Sequence, residues 1–142
     1  MTYRIQITSN LPTLKQKMKA ILRQQKLEKL GQQEPIEPRI LALEIVQDGL
    51  LMGGLLAEKN QETVHLSSLA LEAELRGKGI GSQLLHFLED WARSEQCLTI
   101  TLSTRSYEAK GFYEKQGYIC YSTLKDVPRR GVDKHLFIKY LD

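Results

Sequence analysis

Cysteine is scarce in this chain: it occurs twice, as Cys97 and Cys120, with no Cys-x-x-Cys pair and no histidines nearby. That pattern argues against both a disulfide framework and a zinc site, and each thiol reads as a small apolar strand residue. No metal is expected. Long apolar runs are missing too, and none approaches the roughly 20 residues that cross a bilayer. The amino terminus, Met-Thr-Tyr-Arg-Ile-Gln, lacks the apolar core of a signal peptide. The expectation is therefore a cytoplasmic protein with no membrane partner. Charge of one sign is not in excess, since 20 basic and 17 acidic side chains leave a net +3. No dense basic face interleaved with aromatics stands out, so nucleic acid is not an expected partner. Internal repeats and low-complexity tracts are also absent.

What remains is ordinary soluble composition, 42% hydrophobic and 26% charged over 142 residues. That suits one domain over residues 1–142, large enough to bury a core without staples. Residues 2–8 alternate Tyr3, Ile5 and Ile7 with polar residues, the period of a half-buried strand. A helix should follow, opened by Ser9 or Asn10 and Pro12, carried by Leu14, Met18, Ile21 and Leu22, and stopped at Gly31. Residues 32–38, with two prolines, read as a loop. Residues 39–46 and 50–57 are apolar runs joined through Asp48-Gly49, a strong hairpin signal. Gly53-Gly54 inside the second run suggests a bulge or a close backbone approach. A polar break over residues 58–62 leads into a central strand at 64–71.

Residues 80–92 then place Ile80, Leu84, Leu85, Leu88, Trp91 and Ala92 on one helical face, with Gln83, Glu89, Asp90 and Arg93 elsewhere. A strand over 97–102 follows, and a right-handed parallel crossover is the natural connection across the helix. A short helix over 108–116 ends at Gly117, and strands at 118–124 and 134–141 complete the chain. The fold class is α/β (α+β): a mixed, mostly antiparallel sheet with one parallel pair, flanked by helices.

Between the central strand and its helix lies Arg76-Gly77-Lys78-Gly79-Ile80-Gly81. Three glycines in six residues allow a tight turn and a close ligand approach. The first turn of a helix also offers backbone N–H groups without intrahelical partners, reinforced by the helix dipole. With the charges of Arg76 and Lys78, this is a seat for a phosphate-bearing ligand. A P-loop is nearly excluded, because Gly79-Ile80-Gly81 supplies no Gly-Lys-Ser/Thr.

Together, Leu69-Ala70-Leu71, the Arg76 to Gly81 turn and Glu-Ala-Lys-Gly-Phe-Tyr-Glu-Lys-Gln-Gly-Tyr after the next strand make the chain resemble the GNAT family of N-acetyltransferases. The resemblance covers the whole element order. It implies a splayed parallel strand pair that receives acetyl-coenzyme A as acyl donor. The pyrophosphate would rest on Arg76, Gly77, Lys78, Gly79, Ile80, Gly81 and Ser82. Pantetheine would pair with the backbone of Leu69, Ala70 and Leu71. Tyr113, matching the family's tyrosine near the coenzyme sulfur, is implied as general acid; read alone, Phe112 and Tyr113 are equally adjacent core aromatics.

His65 is the candidate base, with Ser67 at spacing two. Some members, including serotonin N-acetyltransferases, carry histidines at these positions, and histone-acetylating members match His65 with a glutamate. An imidazole suits proton removal near neutrality. His86 and His135 are weaker candidates. Ser106 stands where many members have an asparagine that contacts the coenzyme, and serine is shorter and lacks the amide. For the acceptor, Glu34, Glu37, Glu44 and Asp126 would attract a cationic amine, whereas Arg129 and Arg130 would hold an anionic one; plain solvated surface accounts for most of them. The implied activity is acetyl transfer to a primary amine of a small molecule or protein. The alternative is a non-catalytic acyl-coenzyme A sensor. A two-fold homodimer is the default assembly.

Overall fold

In the computed structural model the described residues are 2–31, 37–105 and 109–142. They form two compact units, Met1–Pro35 and Ile36–Asp142. The first carries helix α1 (Leu11–Leu30). Asn10 caps it by accepting the Thr13 amide at 3.2 Å, and the Gly31 amide closes the last turn onto the Leu27 carbonyl at 3.0 Å. Both ends follow local chemistry readable in sequence. The strand expected over residues 2–8 is not formed. Alternation of Tyr3, Ile5 and Ile7 meets a strand's period, but a period supplies no pairing partner.

The second unit is a six-stranded sheet with two helices. Its elements are β1 (Arg39–Gln47), β2 (Leu50–Asn60), β3 (Thr63–Leu71), α2 (Ile80–Ser94), β4 (Thr99–Arg105), α3 (Lys110–Lys115), β5 (Ile119–Leu124) and β6 (Lys134–Tyr140). The spatial order is β1-β2-β3-β4-β6-β5. Every pair is antiparallel except β3–β4, as the crossover through α2 requires. The β1–β2 turn is Asp48-Gly49, with φ of 52° and 76°, as a two-residue hairpin demands. The polar break foreseen over 58–62 is shorter than its composition suggests: β2 runs on to Asn60, which pairs with Thr63.

Leu55, Ala57, Val64, Leu66, Ile100, Leu102 and Phe137 form the buried face of the sheet, and Leu84, Leu85, Leu88 and Ala92 of α2 belong to the same core cluster. Cys97 is buried just ahead of β4, and that burial pushes its thiol pKa up, as suits an inert packing residue.

One α2 residue departs from the expected pattern. Glu89, read as lying off the apolar face, is only 4% exposed. Its carboxylate lies 3.2 Å from Lys139 Nζ and accepts the Tyr118 hydroxyl at 3.0 Å. A buried carboxylate needs such partners, and here they come from β6 and from the residue just ahead of β5. Burial, together with the neighbouring Glu89 charge, drives the Tyr118 phenol pKa well above its ordinary value.

The feature that shapes the site is the short contact between β3 and β4. Their ladder has only the pairs Thr63–Thr99, Val64–Ile100 and His65–Thr101. Beyond it, β4 stays on β6 up to Arg105 and β3 stays on β2 up to Leu71. The register of β2–β3 shifts there, with Leu56 opposite Ser68 but Ala57 opposite Leu66. Ser67 is thus the extra residue of a β-bulge, which bends its strand. The strands diverge as a V with its apex at His65 and Thr101.

Gly53 and Gly54 hold β2 against both neighbours. A Cβ on Gly53 would overlap the Ala70 carbonyl, and one on Gly54 the Leu43 carbonyl. Gly54→Ala is expected to destabilise the protein by about 1–3 kcal/mol, because backbone cannot yield. Gly49→Ala, with open space around its Cβ and φ +76°, should cost about 1 kcal/mol from backbone strain alone. Urea midpoints of the two variants check the ordering, and equal losses would refute the close approach at Gly54.

Candidate active site

After β3 the chain makes a single 3-10 turn (Ala73–Leu75), and Arg76 leaves it in an extended conformation. Arg76 Nε donates to the Leu71 carbonyl at 3.2 Å, which folds the exposed guanidinium back over the end of β3. Gly79, at φ +79°, is the left-handed N-cap of α2, a conformation that costs other residues strain. Nothing lies within 4 Å of a Cβ built on Gly77 or Gly79, so the space over both is open to a ligand. The first amide to bond back onto Gly79 O is that of Gln83, at 3.1 Å. The amides of Ile80, Gly81 and Ser82 are therefore without acceptors in the helix, at its positive end. Gly81 does another job: a Cβ there would lie 3.4 Å from the Phe112 ring, so its smallness lets α2 and α3 approach.

A cavity of about 660 Å³ runs from this turn along β3. Residues 69–71, Arg76, Gly77 and residues 79–82 line it, with Ala109 and Phe112 on the far wall. These residues fit coenzyme A. An anionic group would meet free amides and a guanidinium at one end. Along the other, the edge of β3 past His65 has no ladder to β4. Of the residues expected to hold the cofactor, Lys78 is exposed and outside the lining.

Deeper in the V is a second cavity of about 170 Å³, bounded by β3, β4 and α3. It shares Leu69, Ala109 and Phe112 with the larger one, and Tyr113 lines it. Tyr113 is 8% exposed, its ring held edge-on by Phe112 at 5.0 Å and Tyr118 at 6.0 Å. The Phe112 and Tyr113 rings pack with the core and also wall the cleft. Thr104 lines this cavity too; its hydroxyl is shielded from solvent and has no hydrogen-bond partner among the described residues. An orphaned buried hydroxyl costs about 1–3 kcal/mol.

His65 sits at the apex of the V, exposed, in neither cavity. Its Nδ1 is 3.0 Å from Thr101 Oγ1. Where Nδ1 carries the proton and donates to Thr101, Nε2 keeps a lone pair able to take a proton; the opposite tautomer leaves Nε2 as a donor. Ser67, expected to share a face with His65, is the bulged residue and lines the small cavity with Tyr113. The other histidines lie apart from the lining, with His86 exposed on α2 and His135 bonded through Nδ1 to Thr123 Oγ1 at 2.9 Å.

A chain of polar contacts ties the glycine turn to α3. Gln116 Nε2 donates to Ser82 Oγ at 2.8 Å, Lys139 Nζ donates to the Gln116 carbonyl at 3.0 Å, and Lys139 pairs with Glu89. No local pattern announces Gln116, Lys139 or Glu89, because each acts through a partner distant in sequence.

Among the acceptor candidates, Asp126 braces its own loop by accepting the Gly131 amide at 2.8 Å. Glu37, Glu44, Arg129 and Arg130 are exposed. Ser106 and Glu34 lie outside the described residues.

The description of the acetyltransferase (GNAT) family matches residues 6–118. Blasticidin-S acetyltransferase of Streptomyces morookaense is 35% identical over 94 residues, 66% of this chain and 68% of that protein. An uncharacterized N-acetyltransferase of Methanocaldococcus jannaschii is 35% identical over 95 residues, 65% of this chain and 61% of its own length. The crystal structure of an acetyltransferase from Bacillus cereus ATCC 14579 superposes with a TM-score of 0.79 at 29% identity, covering 98% of both chains. An aminoglycoside 6'-N-acetyltransferase complexed with coenzyme A shares the fold, with a TM-score of 0.66 at 21% identity over 97% of this chain and 96% of that one. The parallel splayed pair, the glycine turn and these likenesses agree: the chain belongs to the GNAT family and is an acetyl-CoA-dependent N-acetyltransferase.

Proposed function

We propose that this protein transfers the acetyl group of acetyl-CoA to a primary amine of a small molecule by direct attack of the nitrogen on the thioester carbonyl. The observation that carries the reading is the V between β3 and β4, which has the glycine turn at its mouth and Tyr113 in its inner wall. In this reading the amides of residues 80–82 and the Arg76 guanidinium hold the pyrophosphate, and the free edge of β3 over residues 69–71 pairs with the pantetheine amides. His65 takes a proton from the ammonium, directly or through water, so that the nitrogen has its lone pair. The N–C bond forms, the C–S bond breaks, and Tyr113 gives its hydroxyl proton to the departing thiolate.

A small-molecule acceptor is favoured by the 35% identity to a protein named as a blasticidin-S acetyltransferase. Both thiols are free, in keeping with a reducing cytoplasm. A non-catalytic sensor of acyl-CoA would use the same turn but would have no need of Tyr113 or His65.

A thiol-release screen with acetyl-CoA and a panel of amines, aminoglycosides, nucleoside antibiotics and peptides tests the activity itself. Tyr113→Phe is expected to lower kcat by about 100-fold or more with little change in acetyl-CoA affinity; unchanged turnover would remove Tyr113 from the acid role, and no turnover by either protein would favour the sensor. Gly79→Val should abolish coenzyme binding by calorimetry, since it fills the open cradle and strains φ, and retained affinity would sink the phosphate-seat assignment. For His65→Ala, the rate is expected to fall most at low pH, moving the pH–rate profile toward higher pH as the amine must lose its proton unaided. An unmoved profile would exclude His65 as base.

A further inference from the structure

We propose that Gln116 is a positioning residue: it holds the short helix α3, and with it Tyr113, at a fixed place beside the coenzyme seat on α2. This rests on the proposed function, in which Tyr113 is the acid. Helix α3 spans only Lys110–Lys115, and Ala109 ahead of it supplies no side-chain cap. Six residues are far below the roughly 12–15 at which an isolated helix becomes even marginally stable in water. The place of α3 is therefore set by its contacts with other elements.

Packing supplies one set of contacts. The Tyr113 ring lies 5.0 Å from Phe112 and 6.0 Å from both Tyr118 and Phe137. Apolar burial is non-directional, so it confines the ring more than it fixes the register of the helix. Direction comes from Gln116, one turn beyond Tyr113. Its Nε2 donates to Ser82 Oγ in the first turn of α2 at 2.8 Å, and its backbone carbonyl accepts from Lys139 Nζ at 3.0 Å. Lys139 is itself held 3.2 Å from the buried Glu89 carboxylate, two turns further along α2. The C-terminal end of α3 is thus tied to α2 at two points. Both bonds to Gln116 are half-buried and one has a charged donor, which makes them stronger than exposed neutral ones. Ser82 lines the large cavity and Tyr113 the inner one, whereas Gln116 lines neither. Its effect on the reaction runs through Tyr113.

Gln116→Met keeps the length of the side chain and removes its hydrogen bond. Thiol release from acetyl-CoA is measured with the best amine of the screen, or with water as acceptor where no amine is taken. The variant is expected to lose about 10-fold in kcat, while its calorimetric affinity for coenzyme A stays within about 2-fold of wild type. Ser82→Ala, which keeps the amide of residue 82, should show a similar loss in kcat, and the double variant no more than either alone. In the Tyr113→Phe background Gln116→Met should cost nothing further, since no hydroxyl is left to misplace. Unchanged kcat in Gln116→Met or in Ser82→Ala would overturn the inference. So would an equal loss with and without the Tyr113 hydroxyl, or a coenzyme A affinity that falls as far as kcat, either of which would assign Gln116 to the general stability of the fold. Wild-type turnover that survives Tyr113→Phe, or a wild-type protein without turnover, is instead the failure of the proposed function.

Discussion

Two parallel strands that touch for only three residue pairs are the constraint on which the rest of this structure depends. A parallel ladder normally continues as far as both strands extend, since each unpaired N–H and C=O forfeits a hydrogen bond. Here β3 and β4 have other commitments. β4 is zipped to β6 over its whole length, β3 to β2, and the extra residue Ser67 bends β3 where the two part. The backbone left unladdered along residues 66–71 is a row of polar groups facing a cleft. An extended ligand carrying amides satisfies such an edge as an added strand would.

The ends of the cleft are made by different physics. At the mouth, the left-handed Gly79 starts α2 so that free amides and the Arg76 guanidinium converge on one open space. Attraction there is electrostatic and favours an anion. At the inner end, aromatic rings and a shielded hydroxyl dominate. Low water access makes each hydrogen bond there count for more, and leaves each unmade one more costly. The contrast sorts one elongated ligand by its two ends, phosphate outside and thioester inside.

The mouth and the inner wall are also held in fixed relation. Ser82 in the first turn of α2 accepts from Gln116, at the C-terminal end of the helix that bears Tyr113, and Lys139 ties Gln116 to the buried Glu89 on α2 itself. Gly81 lets Phe112 close against the start of α2. The two helices that carry the phosphate seat and the candidate acid are thus joined by packing and by a hydrogen-bonded chain. A shift of one is felt by the other, as precise placement of reacting groups requires.

The sequence by itself determined what local chemistry decides. Caps at Asn10 and Gly31, the Asp48-Gly49 hairpin, the apolar stripe of α2 and the three-glycine turn all follow from residue type and short spacing, and each stands in the structure as read. The splayed pair was legible only through the resemblance carried by the turn and by the segment around Tyr113. Tertiary structure decided the rest. Residues 2–8 have a strand's alternation without a strand, because pairing needs a neighbour that alternation cannot name. Glu89 read as lying off the apolar face and is buried, because Lys139 and Tyr118 reach it from far along the chain. Thr104 lies beyond the strand read over 97–102, and its burial is decided only by the assembled sheet. Local propensity is written over a few residues, whereas burial and satisfaction of polar groups depend on which distant segments meet, and that is fixed only when the sheet is assembled.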